Sequence, residues 1–484
     1  MDSANLNIDI LHLILERSDQ ITVSQVMKTC RSLNREGTKY LLSDIPTISN
    51  RSQALSFLQF MLPTRQSADS PHRLHCIDSL HLMLYSEEEV QIVARVLKPF
   101  FVDIAPQAPN FSLLQIDLAE RFFAADPELP ASVASLKTLN FLMLDDVGEK
   151  TVMMLRALQS PLTKVDVHFD LDIGPSAPED RDPVSFLRRS EDTLRWISLR
   201  SSVSSFAAGC YRNVRMLTLN YIDVPNTRHF VEAFPNLECL RATECKAHLE
   251  PDPEAAVERQ RALNIAGQAG HGSWRRLTSY KGSILMLYAF ALRCQVSHIC
   301  VHDEEEAEMD PAQLWAILAD TSPLHLTIQV RGVEYFLMQA EEFVELSRSE
   351  EFGRVPSFRL ELRLWRSNWD ADMEALMNLV YEAIAPSPIP AVALIIDVSS
   401  ATTKRTFSHR HGWRRPNNEP PSPSPVKLYL DTVEPDTVAE RLFTGNPSRC
   451  AVKVVFIRTW GERPVIAHRG APGLIIDHDF DKYF

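Results

Sequence analysis

The 484-residue sequence predicts an α/β fold in which an N-terminal three-helix module precedes a long strand–helix array, curved into a solenoid. Three observations point there. The opening stretch from Leu6 to Ile45 has helical periodicity and helix-start signals. Beyond Arg73, short aliphatic alternations return again and again at about 20 to 37 residues. Well-formed helix signals fall between them, and a strand followed repeatedly by a helix implies parallel strands with helical crossovers.

In the opening stretch, Ile10, Leu13 and Ile14 recur at helical spacing and make an apolar stripe, with Asp9, His12 and Glu16 on other faces. Thr22 followed by Gln25 reads as a capping box opening a second helix, whose apolar face is Val23, Val26, Met27 and Cys30. Arg31 to Asn34 lead to Tyr40, Leu41, Leu42 and Ile45, which make a third short helix and an apolar exit. Three such helices bury too little surface to stand alone, so the module needs a partner or a neighbouring domain. Ala54, Leu55, Leu58 and Met61 then have helical spacing, ended by Pro63, as a joint over 47–73.

The clearest alternations are Leu74–Leu84, Leu113–Leu118, Leu136–Leu144, Leu162–Phe169, Leu194–Leu199, Val214–Leu219 and Leu237–Arg241. Looser ones follow at Leu277–Tyr280, Val296–Val301, Leu324–Val330, Phe358–Leu364, Val392–Val398, Val426–Leu430 and Val452–Ile457. Between them, Ser86 with Glu89 caps a helix carrying Val90, Val93, Val96 and Leu97. Asp252 and Pro253 open Pro253–Gln268, and Asp310 with Pro311 opens a helix bearing Leu314, Ile317 and Leu318. Another begins near Asp370, with Met373, Leu376, Met377 and Val380. Residues 401–425 hold five basic residues and five prolines and read as a mobile basic loop, Asp303 to Asp310 as a solvated acidic run, and 461–484 as a C-terminal tail.

Composition narrows the function classes. A net charge of -13 and a pI near 5.6 argue against a generic nucleic-acid or anionic-membrane binder. The eight cysteines form no CxxC pair and read as reduced thiols. No basic-plus-apolar leader precedes the first helix, and the longest apolar run, Ile284 to Leu292, is far short of a membrane span, so a soluble protein of the cytoplasm or nucleus is expected. Only 15 glycines occur, and GxGxxG, Walker and GxSxG motifs are lacking. His72, His75, Cys76 and His81 lie close together but without a distant ligand pair, so they read as strand residues and no metal is expected. Lys404 to Arg415, interleaved with Phe407 and Trp413, is positive only locally, so no nucleic-acid partner is expected. An enzyme and a cofactor are not expected.

The opening residues resemble the F-box, the helical motif by which substrate receptors dock onto the adaptor of SCF-type (adaptor, cullin, F-box) ubiquitin ligases. The positions that carry the resemblance are Leu6, Asp9, Ile10, Leu11, Ile14, Leu15, Val23, Val26, Thr29, Cys30, Arg31 and Leu33, with Asn7 where the motif has proline. Over 74–460 the Leu-x-x-Leu-x-Leu alternations resemble irregular leucine-rich repeats, Asn220 and Cys245 standing where such repeats carry their laddering Asn or Cys. The combination is similar to large fungal families of F-box-like proteins. The resemblance implies a non-catalytic substrate receptor: Leu6, Ile10, Leu11, Ile14, Val26 and Leu33 against the adaptor and, through it, a cullin, with the repeats holding an unidentified target protein. The other reading is a leucine-rich-repeat protein-binding scaffold without a ligase, its opening helices capping the first repeat. A cap would bury Ile10, Ile14, Val26 and Met27; a docking module would leave an apolar patch in water.

Overall fold

The computed structural model describes residues 8–62, 70–170, 174–175, 177–204, 209–223, 225–246, 251–302, 310–331, 333–365, 368, 370–399, 407–408, 412–413, 424–458 and 463–471. Leu6, Asn7, His72's side chain, the acidic run before Asp310, most of the basic loop and the tail beyond residue 471 lie outside the described set. The chain divides into two compact units, Met1–Arg215 with Glu232–Pro235, and Met216–Val231 with Asn236–Phe484.

The first unit opens with three helices, α1 (Ile8–Glu16), α2 (Gln20–Met27) and α3 (Arg31–Leu41). The stretch expected to be a purely helical joint then contributes a strand. β1 (Thr47–Ile48) pairs in parallel with β2 (Ser79–Leu82), and α4 (Arg51–Met61) and α5 (Ser70–Cys76) lie between them. β3 (Leu113–Ile116), β4 (Phe141–Val147), β5 (Lys164–Phe169) and β6 (Trp196–Arg200) add in chain order, every pairing parallel. The second unit continues the plan with β7 (Met216–Ile222), β8 (Cys239–Cys245), β9 (Arg276–Ser283), β10 (Gln295–His302), β11 (His325–Val330), β12 (Ser357–Arg363) and β13 (Ala391–Asp397). A short antiparallel pair of two-residue strands, β14 (Phe407–Ser408) and β15 (Gly412–Trp413), intervenes before β16 (Ala451–Ile457) pairs in parallel with β13. β17 (Val465–Gly470) closes this sheet antiparallel to β16, so the segment expected as a tail supplies its last strand.

The strands share one spacing of buried positions. Taking n as the first residue of each pattern, n, n+3 and n+5 turn inward. In the first unit these are Ile77, Leu80 and Leu82; Phe111, Leu114 and Ile116; Leu139, Leu142 and Leu144; Leu162, Val165 and Val167; and Leu194, Ile197 and Leu199, each at most 1% exposed. In the second unit, Leu237, Leu240 and Ala242 through Ile389, Val392 and Leu394 follow the same rule. Alternation puts n+2, n+4 and n+6 on the opposite face of the sheet. At n+7, five patterns end on a left-handed residue that is not glycine: Leu118, Asp146, Ser201, Tyr221 and Glu244, with φ between 53° and 61°.

Two of the inward positions hold no apolar side chain of ordinary size. Gly282 stands at n+5 in β9, where an added Cβ would lie 1.7 Å from the Ala242 carbonyl oxygen, while the neighbouring Tyr280 hydroxyl donates to Ser283 O at 2.9 Å. Arg449 stands at n in β16, 4% exposed, donating to the carbonyls of Leu442, Ile384 and Ser387, and burial lowers its pKa to about 10. In the first unit's helical layer, edge-to-face rings run from Phe57 through Phe100 and Phe101 to Phe122 and Phe123 at 5.2 to 5.9 Å.

Several sequence-level boundaries move. Leu74–Cys76 belongs to α5 rather than to a strand, and Val426–Leu430 lies in the helix Pro425–Thr432. The helices expected at Ser86, Asp252, Asp310 and Asp370 are present as Glu87–Pro99, Pro253–His271, Pro311–Thr321 and Met373–Ile384, the last capped by Asp372. Because a backbone carbonyl has nowhere to retreat within a paired sheet, Gly282→Ala should destabilise the second unit by roughly 1–3 kcal/mol. Urea unfolding monitored by circular dichroism reads this, and a change under about 0.5 kcal/mol would contradict the close approach.

Candidate protein-docking surfaces

The helical module is built around Leu15, Val23, Met27 and Leu33, with Leu11, Val26, Tyr40, Leu41 and Phe60 packed against that cluster. α2 starts earlier than the capping box implied: Asp19, not Thr22, is its N-cap, and its carboxylate accepts from the Thr22 backbone N–H at 2.7 Å. Cys30 is not part of the α2 face; it is the exposed N-cap residue of α3. The helices approach closely at Gly37, where an added Cβ would meet Met27 Cγ. Arg73 of α5 fastens α3 to α4, donating to Asn34 Oδ1 at 3.3 Å and to the Phe60 carbonyl while its guanidinium lies 4.4 Å over the Phe60 ring.

α1 is apolar on two sides. Leu11 and Leu15, one turn apart, point into the cluster. The stripe read from the sequence faces the other way: Ile10 is 50% exposed, Leu13 54% and Ile14 45%. Of the six residues expected against an adaptor, the structure therefore brings Ile10 and Ile14 together on one exposed face. It sets Leu11, Val26 and Leu33 in the module's own core, and Leu6 lies outside the described residues. Ile21, 75% exposed, was not singled out, although its place two residues before the inward Val23 puts it off the buried face of α2.

The opposite strand face is the second surface, and its chemistry differs between the units. In the first unit, His81 of β2 meets Asp117 at 3.3 Å. His168 of β5 is held between two carboxylates, Nδ1 to Asp145 at 2.6 Å and Nε2 to Asp166 at 3.0 Å. Both ring nitrogens can donate only if the imidazole is protonated, and the hydrogen bonds to Asp145 and Asp166 raise its pKa to about 9. Beside it Asp146, buried and next to Asp170, is pushed up to about 6. An imidazolium held this firmly is a structural clamp and a poor general base near neutrality.

In the second unit, the n+4 positions run Arg241, Lys281, Cys300, Thr327, Arg359, Ala393 and Lys453, register partners from one strand to the next. Glu361, 3% exposed, accepts from Gln329 at 2.8 Å and is paired with Arg359 at 2.5 Å and Arg363 at 2.9 Å. The His298 and His325 rings stack 4.6 Å apart, and burial holds the pKa of His298 below the ordinary value. Burial pushes the Cys300 thiol up to about 12, which removes it as a nucleophile. Of His75 and His81, both expected in one strand, His81 is on β2, but His75, with Cys76, lies on the helix α5. Among the described residues, no group of three or more His, Cys, Asp or Glu is placed to hold a metal ion, and no helix is long and apolar enough to cross a membrane.

A group whose folded-state pKa is raised stabilises the fold fully below its unfolded value and loses that contribution as pH climbs through the folded one. The His168 clamp should therefore be at full strength below about pH 6.5 and fade as pH rises through about 9. NMR titration of the ring checks this: Asp145→Asn and Asp166→Asn should each bring the pKa down, and an unshifted wild-type ring would contradict the geometry. No family model and no curated protein matches the chain.

Proposed function

We propose that this chain is a non-catalytic substrate-recognition subunit of an SCF-type ubiquitin ligase. The adaptor docks on the exposed face of α1, and the strands of a leucine-rich-repeat-like solenoid capture a target protein. The observation that carries the reading is the two-sided helix. Leu11 and Leu15 satisfy the module's own core, so the exposure of Ile10, Leu13 and Ile14 is left without an internal purpose. A small apolar patch of this kind, rimmed by Asp9, Glu16 and Arg17, fits a helix-to-helix docking site. Function then follows from proximity alone. Holding a target beside a ubiquitin-charged enzyme raises its effective concentration and needs no reactive group in this chain. The cytoplasm or nucleus is the compartment this role requires.

A second reading has its own observation. The module's core includes Phe60, and Arg73 ties α3 to α4, so the three helices also act as a cap on the unit that follows them. On that reading the chain is a binding scaffold with no ligase connection.

Co-purification of the full chain with an isolated SCF adaptor separates the two. Ile10→Asp, Leu13→Asp and Ile14→Asp combined should abolish adaptor capture while leaving the melting temperature within about 2 °C, because surface substitutions cost little stability. Failure of the folded wild-type chain to hold the adaptor would leave the scaffold reading.

A further inference from the structure

From the helical side of the second unit we infer a docking groove for a basic, amphipathic helix of a partner protein. It stands apart from both surfaces of the proposed function and depends on neither. The groove, of about 660 Å³, lies between the helices Ala340–Ser347 and Met373–Ile384. Arg348, one residue past the end of the first helix, meets Glu382 near the end of the second at 3.9 Å, so the two run side by side in the same direction. Each reaches the core with a different stripe: Phe343 and Leu346 on the first and Leu376 and Val380 on the second are at most 2% exposed. The groove is what lies between the remaining faces. Its floor is apolar, formed by Leu337, Ala340, Val344, Ala375 and Leu379, and its rim carries Glu341 and Glu345 on one side and Glu382 on the other.

Ala340 with Val344, and Ala375 with Leu379, stand one turn apart on facing stripes, and the short side chains of the two alanines leave the space between the helices open. The stripe from Ala340 to Arg348 rises about 12 Å, room for two to three turns of a third helix laid along it. Charge says which helix. Neither flanking helix contains a lysine or arginine, while together they carry Glu341, Glu342, Glu345, Glu374 and Glu382. Glu341 and Glu345 are an i,i+4 pair of like charges, and among the described residues no cation reaches either carboxylate. Arg348 is the one cation lining the groove, and it is already paired with Glu382. Arg441, on the far side of Glu382, is drawn over the Tyr381 ring at 3.7 Å and lies outside the groove. An apolar floor under an unanswered acidic rim complements a helix with small apolar residues at i, i+3, i+4 and i+7 and lysine or arginine flanking them. Other occupants fit less well. Two copies of a chain of net charge -13 repel each other, and the same carboxylates repel a nucleic acid or an anionic lipid surface.

The test is fluorescence anisotropy of the full chain with a labelled, side-chain-stapled helical peptide of about eleven residues, alanine and leucine on one face and lysine on its flanks. The same peptide with glutamate in place of lysine serves as the comparison and should not bind. Glu341→Gln and Glu345→Gln combined should weaken the lysine peptide about three- to tenfold, and Ala375→Trp, which fills the floor, about tenfold or more. Glu87→Gln with Glu88→Gln removes the same charge from the exposed start of the helix Glu87–Pro99 and should change affinity less than about twofold. Thermal melts establish that each variant is folded, and should Ala375→Trp fail to fold, the comparison of the two glutamine pairs decides. The proposal is overturned if the wild-type chain does not prefer the lysine peptide, if both glutamine pairs weaken it equally, if a folded Ala375→Trp chain binds it unchanged, or if light scattering finds a dimer that Ala375→Trp breaks.

Discussion

The constraint on which everything else depends is that parallel strands cannot be joined by a tight turn. Each strand must be followed by a return path over one face of the sheet, and that face must then be buried. In both units the burden falls on three positions per strand, n, n+3 and n+5, which pack under the crossover helices. The rest of each pattern is released from the core. Crossovers can lengthen, as between β13 and β16, without disturbing the ladder, because Ala391 to Asp397 still find Ala451 to Ile457 in unbroken register.

This division of labour explains what was legible in the sequence. The inward triplets are mostly apolar and regularly spaced, so the parallel strand–helix plan could be read directly, and Ser86, Asp252 and Asp310 announced their helices by capping chemistry. Short runs misled where two periods fit equally. Val426, Leu428 and Leu430 alternate like a strand, but Ser424 caps a helix there by accepting from Lys427 N–H at 3.0 Å. β1, two residues long, has no period to detect, and β17 is set by pairing with β16 rather than by its own pattern. In α1 the stripe was found with the right residues but no direction. Leu11 and Leu15 form a second apolar line, and periodicity cannot say which of two such lines meets the core.

The charged surfaces were hidden for a different reason. Arg241 and Lys281 are far apart in the chain and become neighbours only through strand register, and Asp145 meets His168 only across the β4–β5 ladder. A net charge summed over the chain conceals both arrangements. The first unit's face holds the Asp145–His168–Asp166 clamp, whereas in the second unit Arg359 and Arg363 share the Glu361 carboxylate. Faces that differ in this way differ in the charge they present, and electrostatic complementarity governs which molecules a surface attracts and which it repels.

The left-handed residues close to the ends of five strands bear on how much stability this chain holds in reserve. Glycine adopts φ near +55° without a steric penalty, yet these corners are occupied by Leu118, Asp146, Ser201, Tyr221 and Glu244 in a sequence that has only 15 glycines. Each forced corner costs on the order of 1 kcal/mol, and the surrounding ladder must over-determine it for the conformation to persist. The fold is accordingly under tension at regular intervals along its length. Its tolerance of further mutation is set by how firmly each strand is held by its two neighbours, more than by any single packed core.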